Sequence, residues 1–134
     1  MTYAHYIDIL LKILYLKRLF IDMTNYCFNC VDHYGKIVCC TSEAWQHIIN
    51  HKECIGQEEL IKAVIQKPDF INQDKNYKDR KVFYKNCVLN PIGKCFLRIV
   101  IKYSNNLLNR RKGRIITAFA SDSEKKGEAR LWPL

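Results

Sequence analysis

The sequence predicts an α+β fold, with helices first and an antiparallel sheet after them. Apolar residues recur at helical spacing in residues 3–21 and 57–66. From residue 80 onward, three segments read as strands whose connections are short enough for antiparallel neighbours.

Each element has its own local cause. In residues 3–21, Ile7, Leu10, Leu11 and Leu14 lie on one side and Ile9, Ile13, Leu16 and Phe20 on another. They leave a narrow polar stripe of His5, Asp8, Lys12 and Asp22, so this helix is expected to pack on the domain or on a second protomer. Asp8, Lys12, Lys17 and Arg18 interrupt any bilayer-length window, and no small-residue cleavage site follows, so neither an anchor nor a signal peptide is expected. Met23-Thr24 stands just before the first strand-like run, and residues 1–22 therefore read as a helical extension of a single domain over residues 23–134. Residues 26–31 and 36–40 flank Asp32-His33-Tyr34-Gly35 and read as a hairpin. Thr41 or Ser42 can cap a helix running from Glu43 to about His51, and the helix of residues 57–66 must end before Pro68. Strands are expected at residues 80–85, 95–103 and 114–121.

In the second of these strands Leu97, Ile99 and Ile101 alternate with Arg98, Val100 and Lys102, which turns Arg98 and Lys102 away from the core. In the last strand the same alternation sets Ile116, Ala118 and Ala120 against Thr117 and Phe119. The expected open face carries Arg98, Lys102, Thr117, Arg80 and Tyr84.

A chain of 134 residues, 49% hydrophobic and 12% aromatic, forms one ordinary globular core, so one site must perform whatever chemistry there is. The net charge of +9 is unevenly distributed: residues 61–134 hold seventeen basic against six acidic side chains, whereas residues 24–60 hold two against five. Such a field attracts polyanions, with nucleic acid or an anionic surface as natural partners. The seven cysteines are odd in number and lack a secretory context, which points to free thiols in the cytoplasm.

Trp45-Gln46-His47-Ile48-Ile49-Asn50-His51 places two histidines four apart. A zinc peptidase helix needs Glu directly after the first His, and Ile48 stands there. Imidazoles near a basic surface can instead move protons in phosphodiester cleavage, although either ring can equally be a packing or solvated residue. Cys27, Cys30, Cys39 and Cys40 do not suggest a zinc site, because adjacent Cys39 and Cys40 point to opposite faces of a strand. No metal or cofactor is expected. Lys78, Arg80, Lys81, Phe83, Tyr84 and Lys85, with Arg98, Lys102 and Arg110-Arg111-Lys112, mix cations for phosphates with rings for bases.

At these residues the chain resembles a family. Tyr34-Gly35-Lys36, Thr41 to Trp45 with His47-Ile48 and His51, Pro68-Asp69, Phe83-Tyr84-Lys85, Val100-Ile101-Lys102, Ile116-Thr117-Ala118-Phe119, and Lys125-Lys126-Gly127 with Leu131-Trp132-Pro133 occur in that order. The series is similar to the small phage-associated and cyanobacterial proteins of the barnase–EndoU–colicin–RelE (BECR) nuclease superfold. The resemblance implies helices packed on a four-stranded antiparallel sheet and metal-independent RNA cleavage in toxin systems. It makes His51, Lys102 and Thr117 the leading catalytic positions, with His47, Arg80 and Tyr84 behind them. The chain departs from the pattern at Lys52, where relatives tend to carry Pro, and in its many cysteines. The resulting expectation is a ribonuclease acting by 2′-hydroxyl attack. His51 would carry a proton, Lys102 or Arg98 would steady the phosphorane charge and Thr117 would hold a phosphate oxygen. Arg80, Tyr84, Arg98, Arg110 and Arg111 would bind RNA. The expected partners are RNA and a neutralising antitoxin protein, with no membrane. The competing classes are a non-catalytic RNA- or DNA-binding module and an interaction protein working through its first helix.

Overall fold

The computed structural model describes residues 3–24, 26–90, 93–104 and 112–134, with side chains described at 4–14, 27–86, 95–104 and 112–134. The α+β class holds: among the described residues, three α-helices accompany one sheet. They are α1 (Tyr3–Thr24), α2 (Ser42–Ile48) and α3 (Glu58–Gln66), with a 3-10 turn at Lys52–Cys54. The strands are β1 (Tyr26–Val31), β2 (Ile37–Thr41), β3 (Phe70–Gln73), β4 (Arg80–Asn90), β5 (Gly93–Tyr103), β6 (Lys112–Ser121) and β7 (Ala129–Trp132).

The sheet corrects the expectation of four antiparallel strands. It has seven strands in the order β1-β2-β6-β5-β4-β3-β7, and β2 runs parallel to β6 while every other pair is antiparallel. The amino-terminal hairpin thereby joins the carboxy-terminal strands in one layer. Short β3 and β7 extend the other edge, which helical and two-residue periodicity did not reveal.

The helices cover one face. Phe28, Val38, Cys40, Ile71, Phe83, Leu97, Ile99, Ile101, Ile115 and Ala118 from the sheet pack on Ile48, Ile61, Val64 and Ile65. Thr41 caps α2 by accepting from the Ala44 N–H at 3.1 Å. The β1–β2 turn is fixed by buried Asp32, whose Oδ1 accepts from the backbone of Tyr34 and Lys36, both at 2.8 Å, while the Tyr103 hydroxyl donates to Oδ2. Gly35 supplies the positive φ of 81° that the turn needs.

Three further expectations are corrected. α2 stops at Ile48, so His51 lies outside it as the residue that begins the 3-10 turn. β6 carries an irregularity opposite Val100–Ile101, so Ile116 and Thr117 both leave the helix face, and Ile116 packs with Val82, Tyr84 and Val100 rather than with Ala118. The apolar side chains described in α1 do not pack on the domain: Tyr6, Ile7, Ile9, Leu10, Leu11, Ile13 and Leu14 are all exposed, and Leu16 and Phe20 lie outside the described side chains. Among the described residues, no helix is long and apolar enough to cross a membrane.

Candidate functional site

The face of the sheet turned away from the helices divides into two halves. Over β3, β4 and part of β5, an apolar cluster of Val82, Tyr84 and Val100, with Phe70, Phe96 and Ile116 against it, lies beneath the loop before β7. That loop is held by charge. Arg98 donates to Glu128 Oε2 at 2.8 Å, with side chains only 6% and 1% exposed. Arg98 Nε also donates to the Tyr84 hydroxyl at 3.0 Å, and that hydroxyl donates to Glu128 Oε1. Lys125 N–H donates to the same phenol oxygen at 3.3 Å. Beside them, Asn72 Nδ2 donates to Glu124 at 3.0 Å and Arg130 reaches Glu124 at 2.8 Å and Asn72 Oδ1 at 3.0 Å.

This network decides the state of two expected site residues. Burial works against the Arg98 charge, but its bonds to Glu128 and Tyr84 hold the guanidinium above its ordinary pKa. Burial, helped by the hydrogen bond to Glu128, pushes the Tyr84 phenol up. Arg98 and Tyr84 share the face that the alternation assigned them, but they are buried and bound to Glu128 rather than open.

The other half of the face is cationic. In the register Arg80 stands opposite Lys102, Lys102 opposite Arg114, and Arg114 opposite Cys39, so one row crosses β4, β5, β6 and β2 with three consecutive cations. Like charges directly opposed across strands are destabilising. Asp79 offsets part of the repulsion, 3.8 Å from Lys102. The Arg80 guanidinium lies 4.0 Å from the Tyr77 ring centre, and its Nε is buried without a hydrogen-bond partner among the described residues. A cavity of about 340 Å3 opens between the strands here, lined by Cys39, Thr41, Lys102, Ser104, Lys112, Gly113 and Arg114. Burial raises the Cys39 thiol pKa, while Lys112 and Arg114 pull it back.

The histidines sit elsewhere. β2 accompanies β6 only as far as Arg114, and beyond that point the β6 edge is covered by the turn after α2. Glu53 accepts from the Ala120 N–H at 3.1 Å and the Cys54 thiol donates to the Ala118 carbonyl at 3.5 Å, satisfying edge groups that would otherwise lack a strand. This carries His51 round the edge, where its ring centre is 5.3 Å from that of Phe119 and 6.2 Å from that of exposed His47. Phe119 stands opposite Arg98, and Thr117, half-buried, opposite Val100. Thr117 therefore lies between His51 and the Lys102–Arg114 pair. Lys102 is four residues along β5 from Arg98, roughly 13 Å. The structure thus brings His47, His51 and Thr117 to one stretch of β6 and gathers Arg80 and Lys102 further along the same face. Arg110 and Arg111 lie outside the described residues.

Sequence reasoning missed Glu128, Asp79 and Arg114. Glu128 ends a polar stretch that reads as solvated, and the charge row becomes visible only once strand partners are known. Among the described residues, no group of three or more His, Cys, Asp or Glu is arranged to hold a metal ion. In comparisons with known proteins, no family model, no curated protein and no solved structure matches the chain.

Proposed function

We propose that this protein binds RNA along the uncovered half of its sheet and cleaves it without a metal, as a ribonuclease of toxin type. The observation that carries the proposal is the row Arg80–Lys102–Arg114, where three cations face one another across adjacent strands. A fold gains nothing from that repulsion, and a polyanion relieves it. A strand laid along β6 would pass from this row to Thr117 and then to His51. There the imidazole can accept the 2′-hydroxyl proton or return one to the leaving oxygen. Lys102 supplies charge to the phosphorane and the Thr117 hydroxyl a hydrogen bond. Arg98 and Tyr84 support the face from beneath instead of touching RNA, since both are engaged with Glu128. A neutralising antitoxin would present acidic groups to the same row.

The separation of roughly 13 Å along β5 between the Arg98 level and Lys102 favours a second reading, a non-catalytic RNA-binding module using the cations alone. A cleavage time course in chelator on total RNA distinguishes the two. His51→Ala is expected to slow cleavage roughly a hundredfold to ten-thousandfold with an unchanged melting temperature. Binding should weaken steeply from about 50 to 200 mM salt. Equal rates for the two proteins would remove His51 from the site, and salt-dependent binding without cleavage would select the second reading.

A further inference from the structure

The loop between β3 and β4 holds an aromatic ring out beside the cation row. Asp74 Oδ2 accepts from the Asn76 and Tyr77 N–H groups, both at 2.9 Å. Gln73 Nε2 donates to the carbonyls of Tyr77 at 3.0 Å, Lys78 at 3.2 Å and Arg80 at 2.9 Å. The Tyr103 N–H donates to the Asp79 carbonyl at 2.8 Å, which ties the loop to the end of β5. The backbone at Tyr77 is therefore set by hydrogen bonds that its own side chain does not make, and the residue stays 52% exposed. A single exposed aromatic is ordinary. This one is distinguished by the Arg80 guanidinium, 4.0 Å from its ring centre. Arg130 lies nearly as close to Phe70, at 4.1 Å, but that cation is bound to Glu124 and Asn72 and that ring is half-buried against Tyr84. Arg80 instead has its Nε buried without a hydrogen-bond partner among the described residues, and it stands at the β4 end of the uncompensated row. A stacked guanidinium covers one face of the ring and keeps its N–H edge in its own plane, where a phosphate can meet it. The other face of the ring is left to a planar partner.

We propose that Tyr77 is a stacking platform for an unpaired nucleobase, with Arg80 behind it taking the adjacent phosphate. The inference rests on the RNA reading above and assigns its substrate class, a single-stranded segment, because bases stacked within a duplex offer no free face. Such a segment would enter at Tyr77 and cross Lys102 and Arg114 before turning along β6 towards Thr117.

The experiment measures binding of a short fluorescent 2′-O-methyl RNA, which 2′-hydroxyl attack cannot cleave, by wild type, Tyr77→Ala, Tyr77→Leu and Tyr77→Phe. The same strand annealed to its complement and an abasic strand of equal length serve as the other two ligands. Tyr77→Ala should weaken binding of the single strand roughly five- to a hundredfold, with a melting temperature close to that of wild type. Tyr77→Leu, which keeps an apolar side chain without a ring, should lose as much, and Tyr77→Phe should keep the wild-type affinity. The abasic strand and the duplex should bind all four proteins alike, and the salt dependence should be common to all, because no charge has changed. Tight binding of the single strand that is indifferent to Tyr77→Ala and Tyr77→Leu would overturn the platform and leave the RNA reading standing. An equal loss for the abasic strand would also overturn it, since the ring would then act on something other than a base. Absence of binding to any of the three ligands would overturn the RNA reading and the platform with it.

Discussion

Replacing Glu128 by alanine should remove a large part of the stability of this fold. The substitution leaves the Arg98 guanidinium, 6% exposed, without its counterion, and deprives the buried Tyr84 hydroxyl of its acceptor. Breaking a buried ion pair from one side costs about 3–5 kcal/mol, against a total of about 5–15 kcal/mol for a typical domain. For a chain of 134 residues, between the sizes for which shifts of about 4–8 °C and about 2–4 °C per kcal/mol are typical, the melting temperature should fall by roughly 10–20 °C. Glu128→Gln keeps the volume and an acceptor for Tyr84 but loses the charge, so it should fall between the alanine variant and wild type. The double variant Arg98→Met/Glu128→Leu removes both charges together and should recover most of the loss, because the penalty arises from an unpaired buried charge. Thermal and urea unfolding followed by far-ultraviolet circular dichroism measure all of these. A Glu128→Ala melt within about 3 °C of wild type, or a double variant no more stable than the single, would refute the network as the anchor of the loop.

Two other outcomes follow from burial. Burial pushes the thiol pKa of Cys30 up to about 11 and that of Cys40 up to about 12, so both stay protonated at mildly alkaline pH; site-resolved mass spectrometry after alkylation should find exposed Cys27 modified first and Cys30 and Cys40 only after unfolding. Deleting residues 1–22 should leave the melting temperature within about 2 °C of the full chain's and lower its tendency to associate, because the described apolar side chains of α1 are exposed; a large loss of stability in the truncated protein would show that α1 is part of the core.

How much of this was legible in the sequence differs from strand to strand. The alternation in β5 placed Leu97, Ile99 and Ile101 in the core and Lys102 on the opposite face, as found, because a half-buried strand has a period of two whatever its neighbours are. The same rule failed in β6 at Ile116 alone, where an irregularity inserts one extra residue and turns Ile116 to the same side as Thr117, while Thr117, Ala118 and Phe119 keep the faces that the alternation gave them. The parallel pairing of β2 with β6 joins residues seventy-five positions apart, and a strand's own pattern carries no information about a partner at that distance. β3 and β7, four residues each, are too short for any alternation to stand out. His51 is expected at the end of a helix capped by Thr41 or Ser42 and running from Glu43. The chain instead turns after Ile48, and Glu53 and Cys54 close the β6 edge.

The candidate site shows why charge alone could not be read by position. Arg98 and Lys102 lie on one strand, on one face, four residues apart, and local sequence gives no ground for separating them. The difference comes from what the sheet's neighbours deliver: β7 returns beside β3 and brings Glu128 over Arg98, whereas β6 brings Arg114 opposite Lys102. One cation is thereby neutralised and buried as a structural anchor, and the other is set among like charges. Repulsion retained beside a pair so fully compensated cannot be attributed to a shortage of acidic residues, since Glu124, Glu128 and Asp122 all belong to the loop that covers the first half of the face. The fold directs Glu128 to Arg98 and Glu124 to Arg130 and leaves the row of Arg80, Lys102 and Arg114 with Asp79 beside it. This division between a compensated half and an uncompensated half is the physical argument for an anionic ligand at the second.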